Sequence, residues 1–119
     1  MNVKLADIFM SKDALQKLLQ SDLPVKTAFR ISRIAKKIND VFNDIEEQRI
    51  KLVNKLGEVQ EGSDEIKVPP DKLKEFHAEL SSLLEEEIEL DIEKIKLSEL
   101  GDIKLRPVEI ASLEYLIEE

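Results

Sequence analysis

At 119 residues and 13.7 kDa the chain has room for one domain with one modest core. A hydrophobic share of 42% that includes only four Phe, one Tyr and no Trp assigns that core to Leu, Ile and Val, which favours helix packing over an aromatic-rich sandwich. With no Cys, disulfides, thiolate metal sites and thiol nucleophiles are excluded, as suits a cytoplasmic protein, and a net charge of -8 argues against wholesale nucleic-acid binding.

The charge is unevenly spread. Residues 1–57 carry 11 Lys/Arg against 7 Asp/Glu, whereas residues 58–119 carry 7 against 19, so a basic half precedes a strongly acidic one. The opening MNVKLADIFM is interrupted by Lys4 and Asp7 and has neither the apolar run of a signal peptide nor the length of a membrane span.

Val3 to Met10 is too short and too mixed to separate a strand from a helical turn. Ser11 then reads as an N-cap, with Leu15, Leu18 and Leu19 at helical spacing, for a short helix ending near Gln20. Asp22 and Pro24 form the next start signal, and Ala28, Ile31, Ile34, Ala35, Ile38, Val41, Phe42, Ile45, Leu52, Val53 and Leu56 keep three-and-four spacing as far as Gly57. As a heptad, Ile31, Ile38, Ile45 and Leu52 occupy a, but Gln48 and Lys55 fall at d, so the pattern predicts a helix packed in its own domain and not a regular coiled coil. Unbroken from Pro24 to Leu56, it would be roughly 50 Å long at about 1.5 Å per residue. A compact chain of this size is only about 35 Å across. The helix must therefore bend, project as half of an antiparallel hairpin, or be covered by a second copy of the chain.

GEVQEGSDEIKVPP, residues 57–70, is a turn-rich connector in which Glu58 to Gln60 and Glu65 to Val68 can pair as a hairpin around Gly62 and Ser63. Pro69, Pro70 and Asp71 open a helix carrying Leu73, Phe76, Leu80, Leu83 and Leu84, ending near Glu86. Ile88, Leu90 and Ile92 then alternate with acids, and Ile103 and Leu105 alternate with Asp102, Lys104 and Arg106. These are two predicted strands separated by a turn at Gly101. Pro107 starts a last helix with Ile110, Leu113, Leu116 and Ile117. The expected fold is a single domain over 1–119, α+β and predominantly helical. It comprises one long helix (about 24–56), three shorter helices and a small two- or three-stranded antiparallel sheet, with an acidic half over 71–119.

Catalytic vocabulary is sparse, with one His, no Cys and no glycine-rich phosphate loop or nucleophile elbow. His77 follows Phe76 and reads as a helix-boundary residue. Glu85, Glu86, Glu87, Glu89, Asp91 and Glu93 form an acidic run whose bland reading is a solvated edge. A calcium or magnesium site needs carboxylates converging from a loop, and a strand projects alternate residues along one outer face instead. No metal and no cofactor is expected. The most specific feature is basic: Lys26, Arg30, Arg33 and Lys37 fall at i, i+4, i+7 and i+11 on one helical face, with Lys36 adjacent. This stripe contacts an anionic partner, or it faces the acidic half of its own chain or is an ordinary solvated face; the last two readings are the stronger, because five cations without interleaved aromatics make a weak nucleic-acid signal.

LPVKTAFRISRIAKKIND, EEQRIKLVNKLGE, ELDIEKIKLSEL and SLEYLIEE together resemble small uncharacterised proteins of tailed bacteriophages and prophages. The resemblance spans most of the chain, and its motifs are structural. It implies a phage accessory protein, present in the bacterial cytoplasm, and transfers no active-site residues. The expected function is a non-enzymatic one exercised through protein–protein contact, as an assembly factor or a modulator of a host protein, with self-association as a further use of the long helix. Two other readings follow from the charges: an acidic nucleic-acid mimic that inhibits a host defence nuclease, and nucleic-acid binding by the basic stripe.

Overall fold

The computed structural model describes residues 1–59 and 66–119, and its opening takes both of the forms its sequence allows. Strand β1 (Asn2–Lys4) runs directly into helix α1 (Leu5–Met10), which Ser11 joins to α2 (Lys12–Leu19). Ser11 does not cap α2 as expected. Its backbone is already helical, whereas a capping residue is extended, and its buried hydroxyl instead donates to Ile8 O at 3.0 Å and shares a 2.7 Å hydrogen bond with the Tyr115 hydroxyl.

Helix α3 (Val25–Leu56) is a single span of 32 residues. Its N-cap position falls on Pro24, which has no side-chain acceptor, so Asp22 is not the cap. The molecule measures 50 × 31 × 24 Å with a radius of gyration of 17.1 Å. A compact chain of this length would have about 13 to 14 Å. The helix therefore stays whole and the body is elongated around it. Gly57 ends α3 with φ -85 and ψ 161, so the predicted stop holds for a different reason than left-handed freedom. A Cβ there would lie 2.3 Å from Val53 O and 2.4 Å from Ile66 Cγ2, because the chain doubles back at once.

That return is a hairpin of β2 (Glu58–Val59) with β3 (Ile66–Lys67), antiparallel as the connector predicted. Gln60, Gly62, Ser63 and Glu65, which the sequence pattern places in the same hairpin, lie outside the described residues. Helix α4 (Leu73–Leu84) then runs back along α3: Lys55 meets Glu79 at 3.7 Å, and Leu83 lies beside Val41 and Ile45. Strand β4 (Glu87–Glu89) pairs antiparallel with β1, setting Val3 opposite Ile88 and Lys4 opposite Glu87. The ladder is extended by reciprocal backbone bonds of 2.8 Å between Met1 and Leu90.

Beyond Leu90 the structure departs from the sequence reading in two places. Asp102 to Arg106 form no strand. Ile103 and Leu105 do turn inward against the core, but among the described residues no partner strand stands beside them, and alternation alone specifies only an extended, one-sided segment. The second strand is β5 (Ile95–Lys96), followed by a 3-10 turn (Leu97–Leu100), and Gly101 turns the chain with φ 59. The last helix is likewise shorter than expected. α5 (Pro107–Ser112) gives way to a 3-10 turn (Glu114–Leu116) and then to β6 (Ile117–Glu118), which pairs in parallel with β5. The switch leaves Leu113 and Leu116 with no exposed surface while Ile117 and Glu118 satisfy the backbone of Ile95 and Lys96.

The fold is thus mostly helical α+β, and among the described residues its strands are distributed over three two-stranded ladders. One core forms where Val3, Ile8, Leu15 and Leu18 from the start of the chain, Ile31, Ile34, Ile38 and Ile45 from α3, and Leu90, Ile95, Leu113 and Leu116 from its end meet. Gly57→Ala tests the tight exit from α3. The added methyl forces the hairpin away from Val53, and urea denaturation should show a loss of about 1–3 kcal/mol with the slope unchanged.

Candidate partner-binding face

The five predicted cations lie on the first four turns of α3 but divide between two environments. Arg30 and Lys37 are turned toward the acidic half. The Arg30 guanidinium bonds the Glu99 carboxylate, donates to Lys94 O at 3.3 Å and stands 4.0 Å from Glu93, while Lys37 donates to Asp91 O. Arg30 and Lys37, together with Arg33, Ile34, Asp91, Ile92 and Glu93, line a cleft of about 330 Å³. Lys26, Arg33 and Lys36 are exposed, and no ion pair engages them among the described residues.

Two acids that the reading of the acidic run passed over connect the halves. Glu99 and Glu109 each occupy the third position of a short helical turn, and each accepts the backbone N–H that opens it, from Lys96 at 3.2 Å and from Arg106 at 2.8 Å. Each also takes a cation from the basic half: Arg30 on Glu99, and Lys17 on Glu109 at 2.9 Å. The Arg30 hydrogen bond is the main cause that holds the Glu99 carboxyl below the ordinary carboxylate range. For Glu109 the Arg106 N–H comes first and Lys17 second. A glutamate at the third position of a helical turn, two residues after Pro107 in the second case, is the signal that could have located them.

The predicted acidic surface is divided. Glu85 caps the end of α4, Glu87 and Glu89 project from β4 beside Lys4 and Asn2, and Asp91 and Glu93 lie against α3. No group of three or more His, Asp or Glu is placed to hold a metal ion among the described residues. His77 is exposed and stands edge-on to Phe76 at 5.6 Å.

Sequence reasoning also missed the apolar component of the basic face. Val25 is 85% exposed and Phe29, one turn later, is 62% exposed, with the Arg33 guanidinium 5.8 Å from the Phe29 ring. The apolar period places both residues away from the buried stripe of α3, so their surface is solvent-facing by construction. On the other flank, α2 and α3 leave a groove of about 360 Å³ floored by Leu15, Leu19, Ala35 and Phe42, with Lys12 and Lys36 on its rim. The Lys12 ammonium lies 4.3 Å from the Phe42 ring centre, and that ring stacks on Phe9. No helix among the described residues is long and apolar enough to cross a membrane. Compared with family models, curated proteins and solved structures, the chain matches none.

The lowered carboxyls make docking of the two halves pH-dependent. A carboxylate depressed on folding stabilises the fold at pH above the ordinary carboxylate range, and that stabilisation is lost as pH falls through the lowered value. Glu99→Gln should therefore be less stable than the parent at pH 7, with the difference closing below about pH 4 in denaturation curves recorded across that range. A difference independent of pH would mean that the Arg30 contact does not carry this linkage.

Proposed function

We propose that this chain works by binding a protein partner and not by catalysis, as a phage accessory protein that acts in the bacterial cytoplasm on a phage or host protein. The observation that supports a binding role is the outer face of α3, where Val25 and Phe29 stand exposed among Lys26, Arg33 and Lys36. An aromatic side chain left in water on a rigid helix costs solubility and adds nothing to the core. A guanidinium beside it matches the aromatic-plus-arginine composition of interface anchors. The surrounding cations select an acidic counterpart. The phage assignment rests on the resemblance of the sequence segments alone.

Phe29 with Arg33 also gives some support to a second reading, stacking of single-stranded nucleic acid, because a base can lie on an exposed ring beside a cation. The net charge of -8 weighs against it. Mimicry of nucleic acid by the acidic run draws less support, since its carboxylates are divided among α4, β4 and the face of α3.

Phe29→Ala and Arg33→Glu decide between these readings, and both positions are exposed enough to leave the fold intact. Crosslinking of the full chain in host lysate should yield a protein whose purified form binds with an affinity about thirtyfold weaker for Phe29→Ala. A partner held equally by both variants would place binding elsewhere. Salt-sensitive retardation of an oligothymidylate that Phe29→Ala abolishes would transfer the assignment to nucleic acid.

A further inference from the structure

We infer that the groove between α2 and α3 is the seat for an acidic amphipathic helix of the partner, with its apolar side chains between the two helices and its carboxylates on Lys12 and Lys36. This deepens the binding role proposed above and rests on it. The groove has a helix-sized geometry. It is walled by two helices, and Leu15 and Leu19 on one side and Ala35 and Phe42 on the other form an apolar floor where a third helix would complete the packing. Leu19 is 45% exposed at its edge, so the floor continues into solvent. α2 has eight residues and is about 12 Å long, so the seated helix is gripped over about two turns.

Charge chooses the occupant. In a chain with 26 Asp and Glu, none among the described residues lines this groove, while two lysines do, both exposed. Lys12 stands over the Phe42 ring and so lies at the floor's edge, within reach of a carboxylate that flanks an inserted apolar side chain. A basic helix would meet like charge at both rims, and a second copy of this chain would bring a net charge of -8 against a body of the same sign. An acidic helix meets two lysines and no carboxylate at the rims, and it brings far less negative charge to the body than a second copy would. Lys36 borders both this groove and the Val25–Phe29 face, so one partner can engage the two surfaces together.

The probe is a fluorescein-labelled helical peptide of about four turns, with leucines at i, i+3, i+4 and i+7 and glutamates at the flanking positions; its lysine-for-glutamate counterpart is the control. Both are titrated into the full chain by fluorescence anisotropy. The glutamate peptide should bind saturably and at least about tenfold more tightly than the lysine peptide. The double variant Lys12→Glu/Lys36→Glu should reverse that preference. Asn39→Trp, which fills the groove from its exposed rim, should remove binding, with thermal denaturation confirming that each variant is folded. The inference is overturned by equal binding of the two peptides, by absence of saturable binding, by indifference to Asn39→Trp, or by a sedimenting dimer that Asn39→Trp dissociates. If the peptides fail while a Phe29-dependent partner is still captured, the groove assignment is wrong and the binding role stands. If both fail, the binding role fails with it.

Discussion

A helix of 32 residues with its apolar side chains on one stripe requires the rest of the chain to cover that stripe, because no other element among the described residues is long enough to stand alone. Among the described residues the strands have two or three residues each and the other helices six to twelve, so each gains its order by packing on α3 or on a segment that does. Ile31, Ile34, Ala35, Ile38, Phe42 and Ile45 accept this cover. It comes from both ends of the chain at once, since α1 and α2 supply Ile8, Leu15 and Leu18 while the last third supplies Leu90, Ile95, Leu100, Leu113 and Leu116. At about 1.5–3 kcal/mol for each large apolar side chain taken out of water, this shared burial dominates what holds the ends together. The β1–β4 ladder follows from it: once both ends lie on one helix, Asn2–Lys4 and Glu87–Glu89 run side by side and their backbone groups pair.

Electrostatics then orients the cover. Glu99 and Glu109 each order a short helical turn through a backbone N–H and reach across to Arg30 or Lys17 with the remaining acceptor capacity. Because these pairs remain in contact with solvent, their role is to select one docking geometry for the acidic half more than to supply stability. The arrangement also consumes part of the charge asymmetry along the sequence. Arg30 and Lys37 serve the fold, which leaves Lys26, Arg33 and Lys36 for anything outside it.

Much of this frame is legible in the residues. The long helix, its stop at Gly57, the β2–β3 hairpin and the strand at Ile88 follow from periodicity and turn chemistry, which are local properties. What depends on a partner segment is not legible. Ile103 and Leu105 have the alternation of a strand but no neighbour to pair with, while Ile117 leaves a helical pattern because the backbone of Ile95 is available to it. The site divides in the same way. The cations of α3 can be counted in sequence, and so can Val25 and Phe29 once their phase off the buried stripe is noticed. The approach of Lys12 to Lys36 across a groove is set by how α2 lies on α3, and nothing within either segment specifies it.

The length of α3 also explains why binding surface is left over. A helix presents a full circumference, and its cover here reaches only part of the way round: α1 and α2 arrive on one side, the Asp91–Glu99 segment on the other, and α4 lies along the second half. Over the first turns the outer sector is therefore open, and it carries Val25, Phe29 and Arg33. Beside it α2 is too short and too close to its own core to close the groove over Ala35 and Phe42. The outer sector of a soluble helix is typically polar. Here apolar and cationic side chains share it, on the most rigid element of the molecule, which is the placement that gives an interface its geometry before the partner arrives.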